Sequence, residues 1–524
     1  MIEWIPFDGL VNLQKIREEE SETVFMATWL DGKRIIECKL MEYTRSRIKS
    51  CGVNLKILHG FRDIFIEKLT NYMQDGNIVY GISQNTETKK YIMVIPDELG
   101  TRRNASNGSC VYCKQYNTSP AWCQSCDPLK VKQEITSGDK NIDDCIREFQ
   151  LKATAFEKVI EWIPFERLEN IKIIGKGGFG TVYSSIWLDG KRKVVGDNNT
   201  GHVRFRIKLY EVALKTLPGS QTSSSSFLTE FKNHMQCRLE GSELEVYGLT
   251  RNTDSQYMMV YQYANRGNLS DFLTRYFREL VWQEKLNQLA DISYDLSRIH
   301  KTGLIHKDFH SGNILLNINS DGVIKSYITD LGLSRKQDEH DSKEGVYGVM
   351  PYVAPDILMG QKHTQEADIY GLGIIMAEMS TGQRPYYEYK FDTKLAVDIC
   401  KGLHPKFAEG TPDCYIELAN QCMDSISQNR PTAEYVHSKI DQWKTILKSE
   451  NLTDEKELDI KNKFIYADSI IKKMSSKSLS MLQNEYCSKL IDVPEITKSL
   501  KVSTQVSNYS TKQFALELPT ESLN

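Results

Sequence analysis

The apolar residues change period along the chain. From Ile173 to Val182 they alternate around a run of glycines, and a second strand follows over residues 181–188. Residues 212–215 and 257–263 read as further strands, the latter leading into Ala264-Asn-Arg-Gly-Asn-Leu269. Elsewhere the spacing is three and four residues, which predicts helices with one buried stripe. Ile142, Ile146, Phe149, Ala153 and Phe156 suggest one amphipathic helix that leads into the following domain and packs on it. Residues 227–237 form a second helical stretch, and Leu286, Leu289, Ile292, Leu296 and Ile299 a third, read as core. Leu458, Ile460, Phe464, Ile465, Ala467 and Ile471 give residues 454–474 helical potential inside a tail rich in Ser, Thr, Lys and Glu. Beyond Ile496 the composition predicts disorder. Residues 193–210 read as an exposed loop.

The pattern also repeats. Residues 2–34 and 160–192 align without a gap, and 17 of the 33 positions are identical. The similarity resumes at Val53-Asn-Leu-Lys56 against Val212-Ala-Leu-Lys215, and at Tyr91-Ile-Met-Val94 against Tyr257-Met-Met-Val260, then fades near Ile95. The first copy is thus a partial lobe. Its differences fall on the glycines: Gly175, Gly177, Gly178 and Gly180 stand opposite Arg17, Glu19, Glu20 and Glu22. Glycine lets backbone N–H groups approach a phosphate closely, whereas three carboxylates repel one. Residues 1–95 are therefore expected not to bind ATP. Such a copy is either a remnant that keeps a strand-rich fold or a regulatory lobe that docks on its intact counterpart.

Composition narrows the picture little. The 524 residues exceed one ordinary core, and 40% hydrophobic with 26% charged residues fits a globular protein. A net charge of −3 gives no electrostatic case for nucleic acid or an acidic membrane surface. No apolar run approaches a membrane span, and the opening MIEWIPFDGL lacks the features of a signal peptide. A cytoplasmic location with nuclear access is the expectation, and the 12 cysteines then read as thiols or metal ligands. Four of them, Cys110, Cys113, Cys123 and Cys126, form a CxxC-x9-CxxC pattern in a segment otherwise rich in Ser, Asn, Gly, Thr and Pro. Two such knuckles can present four thiolates to a structural zinc, whose binding would supply the folding energy this segment lacks. The alternative is four free thiols in a linker.

The candidate chemistry lies in residues 305–316, IHKDFHSGNILL, where Asp308 precedes Asn313 by five positions. Phosphoryl transfer needs a carboxylate to orient a hydroxyl and an oxygen ligand for the metal bridging the phosphates. This stretch resembles the H-R-D-x-x-x-x-N loop of protein kinases, with Lys307 for the Arg. Other motifs follow in family order: the glycine hairpin, Val-Ala-Leu-Lys215, Thr329-Asp330-Leu331-Gly332 for D-F-G, and Ala354-Pro355-Asp356 for A-P-E. Residues 161–446 are thus similar to eukaryotic-type protein kinases, in particular the tyrosine-kinase-like Ser/Thr group.

The resemblance implies an α+β, bilobed fold with a β-rich small lobe and a helical large lobe. It makes Lys215 the lysine that holds the α- and β-phosphates and Glu230 its partner. The turn Gly175, Lys176, Gly177, Gly178, Phe179, Gly180 and Thr181 would fold over the phosphates. Ile174, Val182 and Leu315 would enclose the adenine, with Ala213 and Tyr263 completing the site and Tyr261 as gatekeeper. Asp308 would act as base, and Asn313 and Asp330 would hold magnesium. Asp356 would pair with Arg430, and Asp368 would anchor the loop backbone. His310, Leu331, Val349 and Asp356 depart from the commonest pattern, so a nucleotide-binding scaffold without phosphotransfer is the alternative. Ser334, Ser342 and Tyr347 are candidate phosphate acceptors in the activation segment. The expected organisation is residues 1–100 degenerate lobe, 101–130 cysteine segment, 131–160 helical linker, 161–446 kinase domain and 447–524 tail. The implied partners are ATP and a protein substrate.

Overall fold

The computed structural model describes the chain apart from residues 1, 19–21, 40–41, 49, 59–61, 75–77, 98, 101, 132–135, 178–179, 198, 217–223, 320, 337–344, 472–485 and 502–524. The chain forms two compact units, Met1–Glu169 with Trp187–Tyr210, and Asn170–Ile186 with Glu211–Asn524.

In the first unit one sheet runs in the order Leu10–Glu18, Glu22–Trp29, Cys51–Leu58, Tyr91–Pro96, Gly81–Gln84, Glu3–Trp4, and the helix Arg62–Gln74 follows the third of these in sequence and packs Phe65 and Leu69 against Met93 and Ile95 of the fourth. Ile5, Trp29, Val53, Leu55 and Val94 form its core. The cysteine segment packs on this sheet through Met26, which lies among the four cysteines. Arg103 ties the two together, donating to Asp97 at 2.7 Å and to Ser125 at 2.9 Å.

The linker helix spans Lys140–Leu151, with Asp139 capping its N-terminus and Ile142, Ile146 and Phe149 buried. It is shorter than the spacing predicts. Beyond Leu151 the chain turns, and the Ala153 carbonyl accepts a hydrogen bond from the Trp122 indole at 3.0 Å. Phe156 then lies in a single 3-10 turn.

The expected exposed loop at 193–210 is instead an antiparallel hairpin, Lys191–Asp197 with Gly201–Ile207. Its turn is built by Asp197, whose carboxylate accepts from the backbone of Asn199 and Thr200 at 2.8 Å each. Arg204 fastens it to the cysteine segment, pairing with Asp127 at 2.8 Å and lying 5.2 Å above the Trp122 ring.

The second unit contains a sheet in the order Leu168–Gly177, Gly180–Trp187, Tyr210–Thr216, Tyr257–Gln262, Val246–Arg251, with the helix Ser224–Leu239 between its third strand and its last two in sequence. The order of these five strands is that of the first five in the first unit's sheet. The resemblance extends to packing: Phe65 meets Tyr91 at 5.5 Å as Phe227 meets Tyr257 at 5.6 Å.

The rest of the unit is helical. The stripe Leu286, Leu289, Ile292, Leu296, Ile299 is buried along the helix Trp282–Lys301. The helix Gln365–Thr381 is apolar on all sides and correspondingly buried from Ala367 to Ser380. The core does not stop at residue 446. In the helix Glu455–Ile471, Phe464, Ala467 and Ile471 are buried, and Phe464 packs edge-on against Trp282 at 5.3 Å. Leu458 and Ile465, read as apolar-face positions, face solvent. The tail also returns: Lys489–Ile491 is a strand, and residues 493–501 are helical, past the point where disorder was expected. Residues 502–524 lie outside the described chain.

Candidate active site

The strand Tyr210–Thr216 pairs antiparallel with Tyr257–Gln262, setting Ala213 opposite Tyr261 and Lys215 opposite Met259. Lys215 points into the unit, and its Nζ donates to Glu230 Oε1 at 2.9 Å and Asp330 Oδ1 at 2.8 Å. Burial works against the ammonium, but Glu230 and Asp330 outweigh it and hold the group above its ordinary value. Glu230 comes from the helix Ser224–Leu239, and Asn233 one turn on reaches the carbonyls of Leu331 and Ser334. Leu331 is buried as an apolar plug. Asp330 has φ +67°, a left-handed backbone that turns its carboxylate towards Lys215.

The loop carrying Asp308 is held from beneath. Asp368 accepts from the backbone N–H of His306 at 2.8 Å and of Lys307 at 3.1 Å, and from His300 at 3.0 Å. Burial opposes its charge, but the His300 hydrogen bond keeps it below the ordinary carboxylate range. Asn313 donates to the Asp308 carbonyl at 2.9 Å and to Asp308 Oδ2 at 3.3 Å, so its amide nitrogen faces Asp308 and its carbonyl oxygen faces away. His310 accepts the Gly312 N–H on Nδ1 at 3.1 Å. A neutral ring then carries its proton on Nε2, which stands 3.5 Å from Asp308 Oδ2. Burial would raise the Asp308 carboxyl, but its contacts with His310 and Ser488 hold it low. Asp308 Oδ1 is buried with no hydrogen-bond partner among the described residues.

These groups share one cavity of about 470 Å³. Ile174, Gly175, Lys176, Gly180, Val182, Ala213, Tyr261, Tyr263 and Leu315 line it, as do Lys215, Asp308, Asn313 and Asp330. Gly177 and Thr181 do not line it, and Gly178 and Phe179 lie outside the described residues. Gly180 has φ +131°, a conformation that a side chain disfavours. Tyr261 is buried at the back of the cavity, with His234 packed edge-on at 5.3 Å. Burial holds His234 neutral, its pKa pulled down to about 3.

Sequence reasoning missed Leu244, Asn268, Thr329 and the tail residues Tyr486, Cys487 and Ser488, all of which line this cavity. The tail carries no motif. The only signal is a short apolar run, Leu490-Ile491, in a polar stretch.

The Asp356–Arg430 pair forms at 2.5 Å, fully buried. Of the activation-segment hydroxyls, Tyr347 is exposed, Ser342 lies outside the described residues, and Ser334 is buried with its hydroxyl on the His306 carbonyl at 3.3 Å. Ser334 is therefore not accessible to a kinase in this state.

The first copy lacks this arrangement. Lys56, the counterpart of Lys215, pairs with Glu22 at 2.8 Å. Glu22 stands where the second copy has Gly180, and no positive φ occurs there. Lys68 occupies the place of Glu230. Glu19 and Glu20 lie outside the described residues, as does the side chain of Arg17.

The cysteine cluster is a second candidate centre. Its four Sγ atoms all lie within 4.8 Å of one another, every one buried. Cys113 and Cys123 approach to 3.8 Å. The Tyr112 N–H points at Cys110 Sγ at 3.4 Å and Arg103 at Cys123 Sγ at 3.7 Å.

A buried lysine shared by a helix glutamate and a left-handed aspartate, above a loop aspartate and asparagine, defines a protein-kinase domain in a small-lobe and large-lobe fold. Residues 168–440, just over half of the chain, match the family model for the protein tyrosine and serine/threonine kinase domain. The chain belongs to this family. It is 26% identical over 276 residues to a probable serine/threonine-protein kinase of Dictyostelium discoideum, covering 52% of this chain and 16% of that one. It is 28% identical over 290 residues to a probable LRR receptor-like serine/threonine-protein kinase of Arabidopsis thaliana, covering 51% and 28%. The dual specificity protein kinase splA of Dictyostelium discoideum is 26% identical over 292 residues, covering 52% and 11%. The match thus spans less than a third of each of these relatives. Among the described residues, no helix is long and apolar enough to cross a membrane.

Proposed function

We propose that this chain transfers the γ-phosphoryl group of Mg-ATP to serine or threonine hydroxyls of proteins, with dual specificity as the narrower alternative. The observation that carries the reading is the convergence of Lys215, Asp330, Asn313 and Asp308 on one cavity, with Glu230 holding Lys215 from behind. The residues fit the nucleotide and its metal. Lys215 supplies a held cation for phosphate oxygens, and Asp330 with the outward carbonyl oxygen of Asn313 supplies hard oxygen ligands of the type magnesium prefers. The unpartnered Oδ1 of Asp308 marks a buried acceptor with capacity to spare. Magnesium, when bound, neutralises charge on the phosphates.

The chain's own residues then do three things. Asp308 orients the acceptor hydroxyl and takes its proton. Lys215, fixed by Glu230, holds the phosphates in line. His310 keeps Asp308 ionised and aimed. Assignment to the tyrosine-kinase-like group rests on Gly348-Val-Met-Pro-Tyr-Val-Ala-Pro355. The test is transfer from labelled Mg-ATP to dephosphorylated casein, with phosphoamino-acid analysis. Phosphotyrosine as the sole product would refute the serine/threonine assignment.

We infer also that the four cysteines hold a structural zinc. A tetrahedron with Zn–S near 2.3 Å has S···S edges of about 3.8 Å, and Cys113 and Cys123 are 3.8 Å apart. The N–H donors at Cys110 and Cys123 suit thiolates rather than thiols. The first copy is read as a lobe without nucleotide, since its own Glu22 occupies the lysine that would hold the phosphates.

A further inference from the structure

The described tail comes back to the active site. Ser488 donates a hydrogen bond to Asp308 Oδ2 at 2.6 Å, which is the contact a phosphate acceptor makes with its base. The position is held on both sides. On the N-terminal side, the Tyr486 hydroxyl donates to the Pro385 carbonyl at 3.0 Å, and its ring meets Phe391 edge-on at 4.8 Å. Arg384 lies 4.7 Å above the same ring. On the C-terminal side, Lys489–Ile491 adds a strand to the activation segment, pairing antiparallel with Val346–Gly348 in the register Val346 to Ile491 and Gly348 to Lys489. Ile491 and Ile496 are buried in the helical core. Strand addition of this kind fixes a peptide through its main chain and leaves pockets to read its side chains.

We propose that residues 486–491 are a cis-acting substrate of this kinase and that Ser488 is its autophosphorylation site. The segment and an outside protein compete for the same base, so the unmodified tail also holds exogenous substrates off. The inference rests on the phosphotransfer reading above. In the step, Ser488 Oγ bonds to the γ-phosphorus of ATP while the bond from that phosphorus to the β,γ-bridging oxygen breaks. ADP leaves with the bridging electron pair, and the hydroxyl proton passes to Asp308 Oδ2. The product phosphoserine, doubly charged, then sits against the Asp308 carboxylate, and their repulsion favours release of the segment.

The site also implies a preference. An acceptor in this register has a lysine next after the serine and apolar residues in the two positions beyond, as in Ser488-Lys-Leu-Ile491.

The test uses the full chain. Before any nucleotide is added, amide exchange at residues 489–491 is expected to be slowed relative to exposed loops, and Leu490→Pro to abolish that protection. Mg-ATP is then added, with casein present in parallel. Mapping by mass spectrometry is expected to find one phosphoryl group on Ser488, absent in Ser488→Ala, at a rate per molecule independent of protein concentration. Leu490→Pro is expected to phosphorylate casein faster. Casein phosphorylation with Ser488 unmodified overturns the inference while leaving the kinase reading intact. A rate that rises with protein concentration overturns action in cis, and unprotected amides at 489–491 overturn the docked segment. Absence of transfer to casein and to the chain alike, from every variant, overturns both readings.

Discussion

His310 is the residue whose role changes most between sequence and structure. In the sequence it reads only as a departure from the commonest kinase pattern. In place, its Nε2 faces Asp308 and lowers the carboxyl's pKa. Loss of that contact must raise the pKa, so less of the base is ionised at a given acidic pH. The acid limb of kcat/KM is therefore expected to move to higher pH in His310→Ala, and an unmoved limb would show that the imidazole does not tune the base. Lys285 is a second case. It is buried against the rings of Phe277 at 3.9 Å and Trp282 at 5.0 Å, and burial pulls its pKa down to about 7. The unfolded chain then binds more protons than the folded one between about pH 7 and the ordinary lysine pKa of about 10.4. Stability from this group must rise with pH across that window. Lys285→Met, which keeps the volume, is expected to stabilise the protein by on the order of 1 kcal/mol at neutral pH and to flatten that rise. A lower melting temperature would mean that the ring contacts outweigh desolvation. Lys215, Asp308, Asn313 and Asp330 were legible because chemistry restricts their type and spacing. Lys285 was not, because one lysine beside a helical stripe has the same pattern as a solvated one.

At the scale of elements, periodicity found the helices and missed what turns them. Phe464 and Ile465 are adjacent and equally apolar, yet only Phe464 meets Trp282 and Trp443. The face was set by tertiary partners that the window could not contain. Phe464→Ala is expected to cost about 3–5 kcal/mol, measured by denaturant unfolding, because the helix Glu455–Ile471 completes the kinase core. A cost below about 1 kcal/mol would make that helix an appendage. The hairpin Lys191–Asp197 with Gly201–Ile207 was read as a loop for a related reason. Its strands are mostly exposed, so they lack an inward apolar face, and their order depends on Arg204 meeting Asp127 and Trp122. The strand Lys489–Ile491 was invisible because its partner lies over a hundred residues away in sequence.

For the whole molecule, the repeat was legible as identity, and the structure adds that the order of five strands is shared as well. One lobe kept its glycines and the other gave its lysine to Glu22. Nucleotide titration is expected to find one site per chain, lost in Lys215→Met and kept in Lys56→Met; two sites would contradict the reading of the first copy. Metal analysis of protein purified without chelator should give about one zinc per chain, and less than about half would count against the cysteine centre. Chelation is expected to destabilise the first unit, followed by amide exchange at residues 110–126. Phosphate transfer is the activity on which every role assigned to this site depends. The measurement that bears on it most directly is incorporation of labelled phosphate from Mg-ATP into casein by the full chain, set beside Asp308→Asn. Incorporation that falls to background in the variant, with ATP binding preserved in both, is the predicted result. Equal incorporation by the two, or none by the native chain despite bound ATP, would contradict it.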